Sequence, residues 1–452
     1  MQPVTPQPAA TPRTHTTPVT PRGFRDVLFD EAREREIVAG AMTGAFAAWG
    51  YEPVETPVVE EYGTLAAGTG GDLERTAFRL FDLDGSLLAL RPEMTVPIAR
   101  VVASRLTEVP GPHRIRYEAE VFREHASLRG QSRQFTQVGV ELVGARGPAA
   151  DVEVVLLLIA ALEAAGLTSF LIGIGTAEVL RALVDRAGGP AEWREAAIAA
   201  AQSRNLVELD RLASRDDLDP ALAEALREVP RTRGGREALE RCDRMAEACG
   251  CAGAVCDLRE TWNTLERLGA TESLQLDFGI MRSFGYYTGM QLEAYAPALG
   301  LPLAGGGRYD RPLAAFGRPA PAAGFALGLE RVMIALAEQG ATPRLEPLDA
   351  VVGGAEPTDV FRAATRLRVA GWRVRVAPGR KGAALVREAE SARAIEALVA
   401  DGDDIVRLDR TGEPATPLAE PGSSLAEPGS PLGERLPDPP RLTWAARGGD
   451  ER

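Results

Sequence analysis

The residues best placed to do chemistry lie on one strand-like segment, Arg133-Gln134-Phe135-Thr136-Gln137-Val138-Gly139-Val140-Glu141. With a strand period of two, Gln137, Gly139 and Glu141 share a face. Gly139 between two polar side chains leaves room for a ligand to approach. Alone, this pattern reads equally well as a solvated strand face. Phe122-Arg123-Glu124-His125 precedes it and supplies a guanidinium. Glu93, in Leu90-Arg91-Pro92-Glu93-Met94-Thr95, sits where a helix should begin. An acid there is favoured by the helix dipole, and a carboxylate facing a cation also makes a charge-assisted bond. Arg282-Ser-Phe-Gly-Tyr286-Tyr287-Thr288-Gly289 offers ring faces and hydroxyls. Gly305-Gly-Gly-Arg308-Tyr309-Asp310 is a turn, and Gly324-Phe-Ala-Leu-Gly-Leu-Glu330-Arg331 ends in a charged pair. No metal site is expected. His15, His113 and His125 are scattered, and Cys242, Cys249, Cys251 and Cys256 lack paired zinc-ligand spacing, so they read as reduced thiols in a helical segment.

The elements that must position these residues can be read from periodicity. Asp30 to Trp49 has apolar residues at helical spacing and ends at Gly50-Tyr51. Residues 78–90 alternate around Asp84-Gly85, which signals a hairpin. Met94 to Leu106 reads as a helix, and Arg114–Phe122 and Arg133–Val143 as two strands. Asp151 to Gly166 reads as a buried helix, followed by a strand at Ser169–Gly175. Residues 177–268 form a helical insertion. Strands follow at Gln275–Gly279, Gly285–Tyr295 and Leu303–Gly307, then a strand-to-helix element at Ala323–Leu336. The fold class is α+β, an antiparallel sheet flanked by helices.

The expected organisation is a disordered extension over 1–20, a main domain over 21–340, a small α/β domain over 346–410 and a low-complexity tail over 411–452. The extension is rich in Pro and Thr, without the apolar core of a signal peptide or anchor. In the tail, Leu418-Ala-Glu-Pro-Gly-Ser423 recurs as Leu425-Ala-Glu-Pro-Gly-Ser430. The main domain is long enough to bury a large core. No apolar run reaches membrane-spanning length, so a cytoplasmic protein without a membrane partner is expected. The net charge of −13, with Lys381 the only lysine, makes the chain a poor long-range attractor of nucleic acid.

Taken in order, these segments resemble histidyl-tRNA synthetase, a class II aminoacyl-tRNA synthetase. Gly50-Tyr51 through Thr56-Pro57 is similar to motif 1, and the Phe122 and Arg133 segments to motif 2. Arg282–Gly289 is similar to the signature of the histidine branch, and Gly324–Arg331 to motif 3. The resemblance implies a histidine pocket. Glu93 and Thr95 would take the ammonium, and Arg123 or Arg282 the carboxylate. Tyr286 and Tyr287 would lie near the ring, with Gln137 and Glu141 completing the pocket. Arg123 and Arg331 are the residues that would hold any remaining nucleotide.

The resemblance also shows where the pattern is broken. Synthetase motif 2 reads Phe-Arg-x-Glu, and the position of that glutamate is His125. An imidazole does not accept hydrogen bonds as a carboxylate does. Met94 and Gly285 replace the family's glycine and aspartate. The family includes catalytically silent relatives that serve as regulatory subunits of ATP phosphoribosyltransferase in histidine biosynthesis. The altered motif 2 favours that branch, and the retained Arg282 and Arg331 favour the alternative, a histidyl-tRNA synthetase. A pure interaction module with an empty pocket is a third reading. The regulatory branch implies no catalytic residue and no cofactor. It implies a short-form ATP phosphoribosyltransferase catalytic subunit as partner and histidine as ligand. It also implies a self-dimer within a hetero-oligomer, and no role for tRNA.

Overall fold

The computed structural model describes residues 19–69, 73–124, 132–281, 287–297 and 299–417. The chain divides into two units between Pro343 and Arg344.

The first unit is built on a sheet of nine strands. They are β1 (Glu52–Pro53), β5 (His113–Phe122), β6 (Gln134–Val143), β7 (Leu171–Thr176), β8 (Arg233–Gly234), β9 (Leu274–Asp277), β10 (Met290–Tyr295), β11 (Ala304–Arg308) and β12 (Ala322–Gly328). Their order is β1-β5-β6-β12-β11-β10-β7-β9-β8. The run from β5 to β7 is antiparallel, as expected. The pairs β1–β5 and β7–β9 are parallel, which the sequence pattern did not signal. A parallel neighbour needs a long crossover. The helical insertion provides it between β7 and β9. A separate small sheet joins β2 (Val59–Glu61), β4 (Leu87–Leu90) and β3 (Arg79–Phe81), and its β3–β4 hairpin turns at Asp84-Gly85.

Helices cover the sheet. Helix α1 (Phe29–Ala48) buries Val38, Met42 and Phe46. Short helices α2 (Tyr62–Thr69) and α3 (Leu73–Thr76) precede α4 (Thr95–Arg105). Helix α5 (Gly147–Ala164) begins at Gly147 with Pro148 in its first turn. It buries Val154, Val155, Leu157, Leu158 and Leu162 completely, in the core that also holds Val138, Val140 and Leu142 of β6. Complete burial of one such side chain stabilises by about 1.5–3 kcal/mol. The insertion contains α6 (Glu178–Ala187), α7 (Ala191–Gln202), α8 (Leu206–Leu212), α9 (Pro220–Glu228), α10 (Arg236–Ala248) and α11 (Cys256–Arg267). Cys242, Cys249 and Cys251 pack in this core and Cys256 is exposed. Helices α12 (Arg311–Ala315) and α13 (Leu329–Glu338) complete the unit. Among the described residues no helix is long and apolar enough to cross a membrane.

The second unit has five strands in the order β14-β13-β15-β16-β17. Strands β13 (Leu348–Gly354), β14 (Val374–Pro378) and β15 (Ala394–Asp401) are parallel, and β16 (Asp404–Leu408) and β17 (Pro414–Pro417) continue antiparallel. Helices α14 (Pro357–Val369) and α15 (Gly382–Ser391) contribute to two separate apolar clusters. Strand β15 lies where a helical stretch is expected ahead of Asp404–Leu408. It is paired on both sides and feeds both clusters, so no polar alternation marks it. Strand β17 is a departure from the sequence reading, since it extends the sheet past Thr411, where the tail composition begins.

Candidate functional site

The face of the large sheet opposite α5 carries a row of polar and glycine residues. In register across the strands run Glu141, Gly324, Gly307, Gln291 and Gly175. Beside them run Gly139, Ala326, Gly305, Glu293 and Gly173. Directly paired residues share a face, so Glu141, Gln291 and Glu293 rise from a floor of small residues. The floor is buried. Glu141 is 1% exposed and Gln137 9%, which removes the solvated-face reading.

The glycines make room for this polar cluster. A Cβ on Gly324 would overlap Glu141 Oε2, and one on Gly139 would overlap the Phe325 carbonyl and stand 2.6 Å from Tyr117 Oη. Gly139 therefore accommodates the Tyr117 hydroxyl, where sequence alone suggested an opening for a ligand.

Three hydroxyls from three different elements converge on Glu141. Thr95 Oγ1, at the start of α4, donates to Oε1 at 2.9 Å. Tyr117 Oη, on β5, donates to the same oxygen at 3.4 Å. Tyr309 Oη, just after β11, donates to Oε2. Burial pushes the Glu141 carboxyl up to about 8, although these hydroxyls favour its ionised form. It therefore holds a proton at neutral pH. Burial, with Glu141 beside it, also raises the Tyr117 phenol.

Glu93 takes up the helix position expected of it. Its Oε2 accepts from the Thr95 amide at 2.7 Å and its Oε1 from the Val96 amide at 2.9 Å. It thus satisfies two amide donors at the start of α4. Desolvation raises its carboxyl, while those amides and Arg123 pull the other way. Arg123 Nε donates to the Pro92 carbonyl at 2.7 Å, and its guanidinium lies 5.3 Å from the Phe135 ring centroid. Gln137 Oε1 and Thr288 Oγ1 are buried with no hydrogen-bond partner among the described residues. Tyr287 packs in the cluster that holds Met94, Tyr117 and Tyr309.

The structure therefore brings together Glu93, Thr95 and Glu141, with Arg123 against Pro92 and Tyr287 in the adjoining cluster. Arg331 is held differently: it is exposed and donates to the Pro302 carbonyl at 2.7 Å. Its neighbour Glu330 accepts from the Thr136 amide at 3.1 Å and pairs with Arg35 at 2.9 Å. Arg282, Tyr286 and His125 lie outside the described residues. Two cavities, of about 260 and 510 Å³, open in the first unit. Arg35 and Ile334 help to line the first, and Arg204, Glu293 and Tyr295 the second. Neither includes Glu141, although the second takes in Glu293 of the same polar row.

Sequence reasoning assigned no role to Tyr117 or to the Tyr309 hydroxyl. The available signal was the Gly-Arg-Tyr-Asp turn for Tyr309, and a tyrosine facing Gly139 in the β5–β6 register for Tyr117.

Comparison with known proteins places this geometry. The family model described as histidyl-tRNA synthetase matches residues 23–332, which include every segment of the site. The regulatory subunit of ATP phosphoribosyltransferase from Moorella thermoacetica is 37% identical over 393 residues, covering 87% of this chain and 98% of that protein. Its namesake from Symbiobacterium thermophilum is 40% identical over 379 residues, 80% of this chain and 92% of that one. The chain belongs to the histidyl-tRNA synthetase family, in the branch of the ATP phosphoribosyltransferase regulatory subunits. A solved family member from Bacillus halodurans C is described as an ATP phosphoribosyltransferase regulatory subunit/histidyl-tRNA synthetase. It superposes with a TM-score of 0.71 at 31% identity, covering 80% of this chain and 92% of that one. Family membership accounts for the fold: the nine-stranded sheet and its covering helices are the synthetase-like core.

Proposed function

We infer that this chain is the regulatory subunit of an ATP phosphoribosyltransferase and acts at the first step of histidine biosynthesis. The observation that carries this reading is the match to the Moorella regulatory subunit, which runs through 98% of that protein. The chain would work in the cytoplasm with a short-form catalytic subunit, as a self-dimer within a hetero-oligomer. The reaction joining ATP to phosphoribosyl pyrophosphate would occur on that partner. This chain would be catalytically silent, because His125 stands where the synthetase pattern has a glutamate.

The polar cluster on the sheet face supports histidine as the ligand. Its ammonium would meet Glu93 and Thr95, and its carboxylate Arg123 or Arg282. The ring would lie near Tyr286 and Tyr287, with Gln137 and Glu141 closing the pocket. Glu141 suits an imidazole, since a carboxyl titrating near neutrality can donate to a bare ring nitrogen or accept from a protonated one. For histidine to regulate, it must bind the active and inhibited assemblies with unequal affinity.

The test has two parts. The purified chain is assayed for histidine-dependent ATP–pyrophosphate exchange and tRNA charging, and is then mixed with a short-form catalytic subunit. The expected result is no exchange, no charging and restored phosphoribosyltransferase activity that histidine inhibits. Robust exchange with charging would make the chain a histidyl-tRNA synthetase and overturn the reading.

A further inference from the structure

The turn that carries Tyr309 is anchored from the far side of the sheet. Arg308 and Tyr309 are consecutive, and alternation sends neighbouring side chains to opposite faces. Tyr309 joins the pocket cluster and donates to Glu141. Arg308 reaches the helix-covered face, where its Nε and Nη2 donate to Asp151 Oδ1 of α5 at 3.1 and 2.6 Å. The same guanidinium donates to the carbonyls of Ala145 and Gly147 at 3.3 and 3.1 Å. Arg308 is 7% exposed and Asp151 1%.

The anchor also grips the strand beside it. The Thr288 amide donates to the Arg308 carbonyl at 2.8 Å. A Cβ on Gly289 would stand 3.0 Å from Arg308 Cδ, so the arginine stem lies directly against that glycine. Gly307 sits at φ +151, and a Cβ there would stand 3.0 Å from Tyr287 Cδ1. One buried arginine thus ties together the two segments that bring Tyr287 and Tyr309 to the pocket.

A buried ion pair is a weak source of stability, because desolving both charges offsets most of their attraction. Here the offset is visible in the acid: burial lifts Asp151 to about 6 even with Arg308 beside it. Other charged groups near Asp151 are Asp257 of α11, Asp310 and Glu178 of α6, with Arg181 beside Glu178. Arg308 is the cation that bonds Asp151 directly. What the pair supplies is position.

We propose that Asp151 and Arg308 are positioning residues for the pocket: from the opposite face of the sheet they hold Tyr309 on Glu141, and so set the affinity for the amino-acid ligand. This rests on the histidine-sensor reading above. It also gives the helical insertion a route to the pocket, because Asp257 and Glu178 belong to insertion helices.

The experiment is a double-mutant cycle on the full-length chain. L-Histidine affinity is measured by calorimetry for wild type, Asp151→Asn, Tyr309→Phe and the double variant, with thermal unfolding on each sample. Each single change is expected to weaken binding roughly tenfold. The double variant should bind no more weakly than Tyr309→Phe, because Asp151 acts through that hydroxyl. The melting shift caused by Asp151→Asn should be the same in both backgrounds. If Tyr309→Phe weakens binding while Asp151→Asn does nothing, or adds in full, the positioning role is overturned and the pocket reading stands. If wild type binds no histidine, alone or with the catalytic subunit, the pocket reading fails and takes this proposal with it. Should Asp151→Asn not fold, Arg308→Lys replaces it. That variant keeps a cation on Asp151 but loses the two-nitrogen grip, and the same dependence on Tyr309 is expected.

Discussion

The two ends of this site are built differently. Around Glu141, groups from α4, β5 and the turn after β11 converge on one buried carboxyl, and Glu93 closes the same corner. At the start of α13, Arg331 is exposed and turned onto a backbone carbonyl, while Glu330 is committed to Arg35 and the Thr136 amide. The first end has its polar groups preorganised where a small amino acid could meet them. At the second, Arg331, which the family resemblance would turn to nucleotide, bonds a backbone carbonyl instead. On the function proposed above, the fold would keep its sensing half while the nucleotide half serves as scaffold.

The sharpest way to break the contrast is Glu141→Gln. It should weaken histidine binding about 100-fold, because an amide cannot share a proton with the ring nitrogen as the neutral carboxyl would. It should also change stability with pH. The folded value of about 8 lies above the ordinary 4.5, so the native state binds this proton more tightly. Wild-type stability should therefore fall as pH rises from about 4.5 to 8 and level off above that. The Gln variant should lack that part of the fall, gaining a few kcal/mol at pH 8.5 relative to wild type, at about 1.4 kcal/mol per pKa unit. Denaturant titrations at pH 5 and 8.5 measure it, and an unchanged slope would assign the titration to another group.

Glu93→Ala should come next, with histidine affinity down about 30-fold for loss of the ammonium partner. Stability should drop by about 1 kcal/mol, because the first amides of α4 lose their acceptor. An untouched affinity would mean that the pocket is wrongly assigned. Gly324→Ala should cost about tenfold in affinity and about 1–3 kcal/mol in stability, since the new methyl collides with Glu141. Calorimetry with thermal unfolding separates the two effects. Arg331→Ala should be the mildest, changing histidine affinity less than about twofold because an exposed contact is lost. A loss as large as that of Glu93→Ala would erase the distinction between the two ends.

Much of the fold was legible because it rests on local pattern. The hairpin at Asp84-Gly85, α1 with its buried Val38, Met42 and Phe46, and the apolar α5 follow from turn chemistry and periodicity. What was not legible depends on pairing at a distance. The parallel partners of β5 and β7 come from segments whose own composition carries no sign of direction. In β15 the alternation is hidden because both faces are covered. At the site, the strand face of Gln137, Gly139 and Glu141 was readable, but the reason for Gly139 was not. That reason is the close approach of the Phe325 carbonyl on β12 and the Tyr117 hydroxyl on β5.

The sequence by itself determined which side chains share a face, that a helix follows Glu93, and that a carboxylate and a glycine alternate on β6. These follow from the periods of two and 3.6 residues and from local sterics. Only the tertiary structure decided that Glu141 would be buried and protonated. Its hydroxyl partners lie 24, 46 and 168 residues away along the chain, and Arg308 and Asp151, on the opposite face, are 157 residues apart. A proton affinity is set by everything packed around the group, and that packing exists only once the chain has closed.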